Sequence, residues 1–363
     1  MIDVFLVTFP FFALIAAGYA AGRRGVLPLQ AIPGLNIFVL YFALPCMLYR
    51  FGAGTPIGQL LDASVALVWG FCSLLTVCAV VLASRRRIGW NDASFGALVA
   101  AFPNTGFMGM PLLGAILGAS SAGPVIITLI FDMVVTSSLC IALSRLDAGN
   151  DRAANESPQT RPRVDEDLHT RRSRVLAAPQ GRSPAAGRPG VARALRHALR
   201  GILLNPMPWS ILLGGLASAM SWRLPGPLDR TVAMLADAAS PVALFTIGTV
   251  LARSALLARG RRRADAVHEV LPVVLAKLFV HPLLMFGVAR LAMAAGLPLS
   301  HSAMVALVLL AALPSASNVS MLAERFGADN GRIARIILWT TVAAFFTYPL
   351  AVGWLHPATA AQR

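Results

Sequence analysis

Long apolar runs constrain this chain more than any other feature of its sequence. A helix that crosses a bilayer needs about 20 mainly apolar residues. Ten segments meet this requirement: 3–22, 32–51, 63–84, 92–117, 122–144, 201–220, 228–252, 267–294, 299–323 and 332–355. Because lipid offers no hydrogen-bond partners, such runs satisfy their backbone groups within helices. The sequence therefore predicts an all-α integral membrane protein with ten transmembrane helices, surrounded by membrane lipid.

The composition supports lipid as the solvent and argues against nucleic acid as a partner. The chain is 57% apolar and 13% charged, whereas a soluble domain averages about 45–50% apolar and about 25% charged residues. The formal net charge of +15 comes from short basic clusters between the apolar runs, as in the loops of a membrane protein. The four cysteines have no metal-ligand spacing such as CxxC, and the sequence predicts no cofactor and no metal.

One stretch between the apolar runs differs from the others. Residues 146–199 contain ten Arg, six Asp or Glu and five Pro. Such a composition cannot bury enough apolar surface to offset the entropy of ordering, so we expect a flexible loop. This loop divides the chain into a first five-helix repeat at 1–145 and a second five-helix repeat at 200–363.

The distribution of arginine predicts the orientation. Loops that follow the odd-numbered segments hold 25 arginines, against five on the opposite side, and the ratio is still 13 to five without the 146–199 loop. Basic residues are retained in the cytoplasm. We therefore expect a cytoplasmic 146–199 loop and both termini in the periplasm or outside the cell. The preference for arginine over lysine is typical of a GC-rich bacterial genome, which predicts a bacterial inner membrane.

The two halves of the chain resemble each other in the order of their prolines. Pro45 in segment two has a counterpart in Pro241 of segment seven, and Pro103 in segment four has one in Pro314 of segment nine. Since five is an odd number, the second half enters the membrane from the opposite side. The pattern predicts two inverted five-helix repeats, which many secondary transporters share.

Segment four contains the most informative stretch, PNTGFMGMP at 103–111. Proline and glycine disfavour a regular helix, and irregular backbone at membrane depth survives only inside protein or beside a cavity. We expect the helix to break here and to expose ligand groups, although a simple proline kink with glycine packing is the alternative. The candidate substrate-binding residues are Asn104, Thr105, Gly106, Gly109 and Pro111.

Segment nine carries a second break, PSASNVS at 314–320. Four small polar side chains in seven residues are costly in lipid unless they face a partner. They either bind substrate or join neighbouring helices by hydrogen bonds. The candidates for substrate binding are Ser315, Ser317 and Asn318.

These motifs resemble the auxin efflux carrier family, and in particular its bacterial branch. The resemblance covers nearly all of the chain outside 146–199, and its most specific part is PNTGFMGMPLL at 103–113. It implies that helices four and nine unwind and cross at mid-membrane to form the substrate site. Helices one, two, six and seven would form a scaffold, and the others a mobile transport domain. By this resemblance Asn104 and Pro111 take the crossover roles of helix four.

The resemblance has one informative departure. Plant carriers place a proline close to the position of Asn318, but here no proline follows Pro314 until Pro349. This departure resembles the bacterial branch, whose members are linked to malate or malonate rather than auxin. A homodimer stays open as the oligomeric state.

Three ionisable residues lie at membrane depth. Asp132 is near the middle of segment five, and Lys277 and His281 are one turn apart in segment eight. A charge at the bilayer centre costs at least ~2.5–3.5 kcal/mol, so such residues are candidates for function. Lys277 either attracts an anionic substrate and supports the crossed helices, or it pairs with Asp132 or with helix carbonyls. Asp132 is a candidate for proton coupling, with pairing to Lys277 as the alternative. His281 is also a candidate for proton coupling, with local packing or hydrogen bonding as the alternative.

These features together predict a secondary transporter, an efflux carrier or permease, that moves a small organic anion such as a carboxylate by alternating access. The chain has no HExxH, GxGD or GxSxG motif, so we do not expect an enzyme. A sodium-coupled symporter of related crossed-helix architecture is one alternative, although acidic residues within the helices are scarce. A non-transporting membrane sensor is the other.

Overall fold

The computed structural model describes residues 2–56, 58, 62–146, 206–257 and 263–355. Within these ranges the regular elements are helices, and the one strand-type pairing is an isolated antiparallel bridge between Pro103 and Ser315. The predicted loop at 146–199 lies outside the described residues except for Leu146, as does the start of segment six at 201–205.

The helices follow the predicted segments. In chain order they are α1 (Ile2–Arg24), α2 (Ile32–Gly54), α3 (Ala63–Ala101), α4 (Thr105–Leu117), α5 (Ala122–Leu143), α6 (Pro206–Ala219), α7 (Gly226–Leu257), α8 (Arg263–Leu275 with its continuation to Ala294), α9 (His301–Ala311), α10 (Asn318–Arg325) and α11 (Asn330–Leu355). Four of them contain a single π-helical turn: α2 at Val39–Ala43, α4 at Thr105–Gly109, α5 at Asp132–Thr136 and α8 at Ala276–Val280.

Seven helices of the described ranges are long and apolar enough to cross a membrane, namely α1, α2, α3, α5, α7, α8 and α11. Three shorter apolar helices, α4, α6 and α9, lie in the remaining predicted segments. The prediction of an all-helical, multi-pass membrane protein is confirmed.

The connection between segments three and four differs from the prediction. A loop was expected near residues 85–91, and there two helices meet at a kink, so that α3 (Ala63–Ala101) is helical on both sides of Gly89. The chain changes direction inside this helix at Gly89, where φ is 76° and ψ is 172°. Only glycine adopts this conformation without strain, so one glycine replaces a loop.

Two glycine contacts hold α1 against α7. A Cβ atom on Gly18 would overlap the carbonyl oxygen of Phe245, and one on Gly248 would overlap that of Ile15. The backbones of the two helices are therefore in direct contact. Lipid tails are as apolar as leucine, so membrane helices associate through close packing of this kind rather than through hydrophobicity. Helix α6 packs in the same manner on the second half of α2, where Gly214 meets Tyr49.

The helices differ in how much of their surface the protein covers. Leu212, Leu213 and Leu216 of α6 are exposed, which is typical of a face in contact with lipid. In contrast, α9 is buried from Ala303 to Ala311, and the end of α3 is buried from Ala93 to Ala101. The two buried helices end at the two predicted breaks, so the breaks lie in the interior of the protein.

Candidate functional site

The first break separates α3 from α4. A residue before proline is pushed out of the helical region, and Phe102, which precedes Pro103, has φ −98° and ψ 99°. Asn104 follows with φ −77° and ψ 55°. The chain returns to helix through a π-helical turn at Thr105–Gly109, with Pro111 near the N-terminus of the α-helical part Met110–Leu117.

The second break separates α9 from α10 in the same manner. Helix α9 ends at Ala311, three residues before Pro314, and α10 begins at Asn318. Proline lacks the N–H group that a continuing helix requires. The six residues between the two helices are therefore free to make other contacts.

The two breaks pair with each other across more than 200 residues of sequence. The backbone N–H of Asn104 donates to the carbonyl of Pro314 at 2.8 Å, and that of Ala316 donates to the carbonyl of Phe102 at 3.1 Å. The Ser315 hydroxyl donates to the Val99 carbonyl at 2.8 Å, within the last turn of α3. These bonds satisfy groups that neither helix can satisfy itself.

The pairing leaves backbone donors at the start of α4 and of α10. Among the described residues, no hydrogen-bond acceptor is in reach of the N–H groups of Gly106 and Phe107, or of Ser317 and Asn318. The first N–H groups of a helix have no partner inside it and carry partial positive charge. Two helix N-termini with unused donors thus meet in the protein interior, an arrangement suited to an anion.

Two adjacent cavities adjoin these donors. The first has about 380 Å³ of empty space, including space that opens outward, and the second about 300 Å³. Phe107 and Asn318 line both of them. Asn36, Ser317 and Ser320 add polar groups to the first cavity, and Asn104 and Gly106 to the second. No charged side chain of the described residues lines either cavity, so their polarity comes from amides, hydroxyls and backbone groups.

Some of the predicted site residues lie at these cavities and others serve the structure around them. Asn104, Gly106, Ser317 and Asn318 line the cavities. The Asn318 Oδ1 atom is buried without a partner, which leaves it available to a ligand.

The other candidates from the two breaks do not line either cavity. Ser315 is occupied by its bond to Val99. The Thr105 hydroxyl is buried without a partner. Gly109 is a packing position, since an added Cβ would lie 3.0 Å from Leu310.

A second polar cluster lies beside the breaks, around Asp132. Its Oδ1 atom accepts hydrogen bonds from the Trp69 indole at 3.0 Å and from the Thr136 hydroxyl at 2.9 Å. Its Oδ2 atom is buried without a partner. Asp132 is fully buried, and a buried carboxylate with one unsatisfied oxygen is energetically costly.

Lys277 connects this cluster to the second break. Its Nζ donates to the carbonyl of Ala311 at 3.0 Å and lies 3.4 Å from Nδ1 of His281. Ala311 is the last residue of α9, whose C-terminal carbonyls carry partial negative charge. The bond to helix carbonyls is therefore present. In the described part of the chain, no ion pair within 4.0 Å joins Lys277 to Asp132.

Three contributors to these sites were not predicted. Asn36 and Ser320 line the first cavity, and Trp69 holds Asp132 and packs 5.7 Å from the His281 ring. An asparagine within the apolar run of segment two was a usable signal, because an amide in lipid requires a partner. Trp69 had none, since a tryptophan in an apolar segment ordinarily packs.

Sequence comparisons with known proteins identify the family of the chain. The family model described as "Membrane transport protein" matches residues 3–352. A "Putative malonate transporter" of Rhizobium meliloti (strain 1021) is 28% identical over 352 residues, which cover 96% of this chain and 94% of the relative. "Auxin efflux carrier component 8" of Arabidopsis thaliana is 23% identical over 78% of this chain and 79% of its own. "Uncharacterized transporter YfdV" of Escherichia coli (strain K12) is 23% identical over 328 residues, which cover 87% of this chain and 86% of that relative.

Proposed function

We propose that this chain, which belongs to the membrane transport protein family of the auxin efflux carriers, is a secondary transporter that moves a small carboxylate across the bacterial inner membrane. The chain is a transporter and not an enzyme, as its family and its transporter-named relatives show. The carboxylate is our inference from the site.

The observation that carries this inference is the set of unused donors at the paired breaks. The N-termini of α4 and α10 contribute four free N–H groups, and Asn104 and Asn318 contribute side-chain amides. A carboxylate accepts hydrogen bonds of this kind strongly, and it is favoured by the partial positive charge of two helix N-termini. The relative named as a malonate transporter supports a carboxylate of small size.

The neutral lining of the cavities is suited to transport as well as to binding. A fixed buried cation would bind an anion tightly and would itself need a partner whenever the site is empty. Amides and backbone dipoles cost less than a buried charge when the site is empty. A carrier must release its cargo on the far side, so moderate affinity from neutral donors favours turnover.

The proposed architecture is ten transmembrane helices in two inverted repeats, 1–145 and 200–363, joined by the 146–199 loop. In this arrangement α3 with α4 and α9 with α10 are the two broken helices, which cross at mid-membrane. The glycine-mediated contacts of α1 with α7 and of α2 with α6 support a rigid scaffold. Alternating access would then move the site relative to this scaffold.

The arginine distribution supports an orientation with the 146–199 loop in the cytoplasm and both termini in the periplasm. At the membrane end that we assign to the cytoplasm, guanidinium groups gather on aromatic rings. Arg145 lies 5.1 Å from the centre of the Phe326 ring, and Arg85 lies 4.8 Å from that of Trp90.

Transport by the purified full chain in proteoliposomes tests this proposal. Vesicles loaded with unlabelled malonate should take up labelled malonate by exchange, and competing short mono- and dicarboxylates should reduce that uptake. Neutral analogues such as the corresponding amides should not compete. Uptake unchanged by replacing sodium with potassium would separate this function from a sodium-coupled symporter. If no carboxylate exchanges or competes while the protein is monodisperse, the anion assignment is wrong.

A further inference from the structure

The cluster of Asp132, Lys277 and His281 contains polar atoms that make no hydrogen bond. All three side chains are fully buried. Asp132 Oδ2 and His281 Nε2 are buried atoms without partners. A purely structural ion pair would be expected to satisfy its own oxygens, since each unsatisfied buried polar atom is costly. Two unsatisfied atoms in one cluster of ionisable groups therefore indicate that the cluster binds a ligand.

We propose that this cluster is a proton-binding site and that the chain carries one proton together with its anionic substrate. The proposal rests on the transport function inferred above and names the co-substrate. The proton adds to Asp132 Oδ2, forming an O–H bond and converting the carboxylate to a neutral acid. Water supplies the proton on one side of the membrane, and the acid returns it to water on the other.

The contacts of Asp132 determine which oxygen takes the proton. Oδ1 already accepts hydrogen bonds from the Trp69 indole and the Thr136 hydroxyl. Both bonds stabilise the orientation of the carboxyl group in either protonation state. Oδ2 has no donor to compensate a negative charge, so protonation there removes the uncompensated part of that charge.

Lys277 supplies the positive charge of the cluster, and His281 accepts a hydrogen bond from it. The ammonium of Lys277 has two acceptors, the Ala311 carbonyl and His281 Nδ1. With Nδ1 as acceptor, the imidazole is neutral and carries its proton on Nε2. Lys277 thus supplies a positive charge that balances Asp132 when its carboxylate is ionised. After Asp132 is protonated, the cluster has a net charge of +1.

The bond from Lys277 to Ala311 couples this charge to the substrate site. Ala311 ends α9, and the residues that follow include Ala316 and Ser317, which line the two cavities. A net positive cluster favours an anion in the cavities. For charges separated by roughly 10 Å at an effective dielectric constant near 20, the attraction changes affinity by about tenfold. Proton and anion therefore bind cooperatively and move in the same direction.

Other ionisable groups on the helices around the cluster do not substitute for it. The thiol of Cys140 on α5 lies within electrostatic range of Asp132 and of Cys78 on α3, and Cys78 is exposed. On α8, Glu269 pairs with Arg335 of α11 at 4.0 Å, away from Lys277. The remaining charged or titratable groups of the packed helices α9 and α11 are His301 and Arg332, at the starts of these helices, and Tyr348, a buried phenol near the end of α11.

Transport by the full chain in proteoliposomes, with labelled malonate as the probe, separates coupling from folding. Wild-type vesicles should accumulate malonate when the outside is more acidic than the lumen, and a dye in the lumen should report proton entry with it. Asp132→Asn should lose this accumulation by tenfold or more yet retain malonate exchange at equal pH, because the amide mimics the protonated acid. Asp132→Glu should recover part of the accumulation.

Asp237→Asn is the matched control, since that carboxylate is exposed and only loosely paired with Arg50 at 3.7 Å. Equal accumulation by wild type and Asp132→Asn, or net malonate uptake by wild type without proton entry, would overturn the proposal. If wild type exchanges no carboxylate at all, the proposed function fails instead.

A substrate-independent measurement then still tests the proton site. Infrared difference spectra of purified protein should show a protonated-carboxyl band that grows on acidification and is absent in Asp132→Asn. Spectra of the two proteins that are identical at every pH would contradict the proposal.

Discussion

Replacing Asn318 by alanine separates substrate binding from folding stability. Its Oδ1 atom is buried without a partner in the protein, so the side chain already incurs a desolvation cost when the site is empty. The Asn318 side chain lines both cavities, where its amide can donate to a carboxylate. Alanine removes the unsatisfied oxygen and the donor together.

The substitution has opposite effects on substrate binding and on folding stability. Losing one hydrogen bond to a charged group costs ~1.5–3 kcal/mol of binding free energy, which raises the dissociation constant roughly ten- to 150-fold. Removing an unsatisfied buried polar atom relieves about 1–3 kcal/mol in the free protein. We therefore expect Asn318→Ala to bind malonate much more weakly while its thermal unfolding midpoint stays equal to wild type or rises.

Calorimetric titration of malonate into purified, monodisperse protein measures the first effect, and thermal unfolding in the same detergent measures the second. Asn104→Ala should weaken binding in the same direction, since Asn104 lines the second cavity. Asn330→Ala is the control, because that amide bonds to Glu324 at 3.4 Å, outside the cavities. Wild-type affinity in a stable Asn318→Ala protein would refute a substrate site at the paired breaks.

The remaining predictions concern packing, topology and the loop. Gly18→Ala should lower the unfolding midpoint, because overpacking costs about 1–3 kcal/mol where the added Cβ meets backbone, whereas Gly34→Ala, with open space around it, should not. Reporter fusions after residue 363 should be active only in the periplasm and those within 146–199 only in the cytoplasm, and a cytoplasmic C-terminus would contradict the orientation or the helix count. Deleting 150–195 should leave membrane insertion and malonate exchange intact, since its composition cannot form a core; lost exchange in an inserted protein would give this segment a role.

Local features of the sequence were sufficient to predict the helices and the positions where they break. Pro103 and Pro314 each end a helix for reasons confined to their own neighbourhood, namely a missing donor and a restricted preceding residue. Apolar length alone predicted the membrane segments. The connection near residues 85–91 lies where the sequence placed it but is shorter than a loop, because the break is confined to one residue, Gly89. A glycine in a polar stretch is equally compatible with a loop and with a bend inside a helix.

The contacts that make the breaks into a site could not be predicted in the same way. The N–H of Asn104 donates to the carbonyl of Pro314. The sequence shows only that each of these groups lies near a proline and lacks a helical partner, and it does not show that they bond to each other. What the sequence does imply is that both sets of groups need partners, because lipid supplies none. Two breaks that pair with each other are an economical solution, since each provides what the other lacks. The same reasoning applies to Lys277, whose depth required an acceptor without indicating that it would be the last carbonyl of α9. Helix α9 ends in carbonyl groups of partial negative charge, to which Lys277 donates, and α4 and α10 begin with unused N–H groups of partial positive charge, so the breaks have two sides of opposite polarity. The donor side therefore favours an anion, and the proton is expected on the Asp132 carboxylate, because a second positive charge beside the Lys277 ammonium is unfavourable.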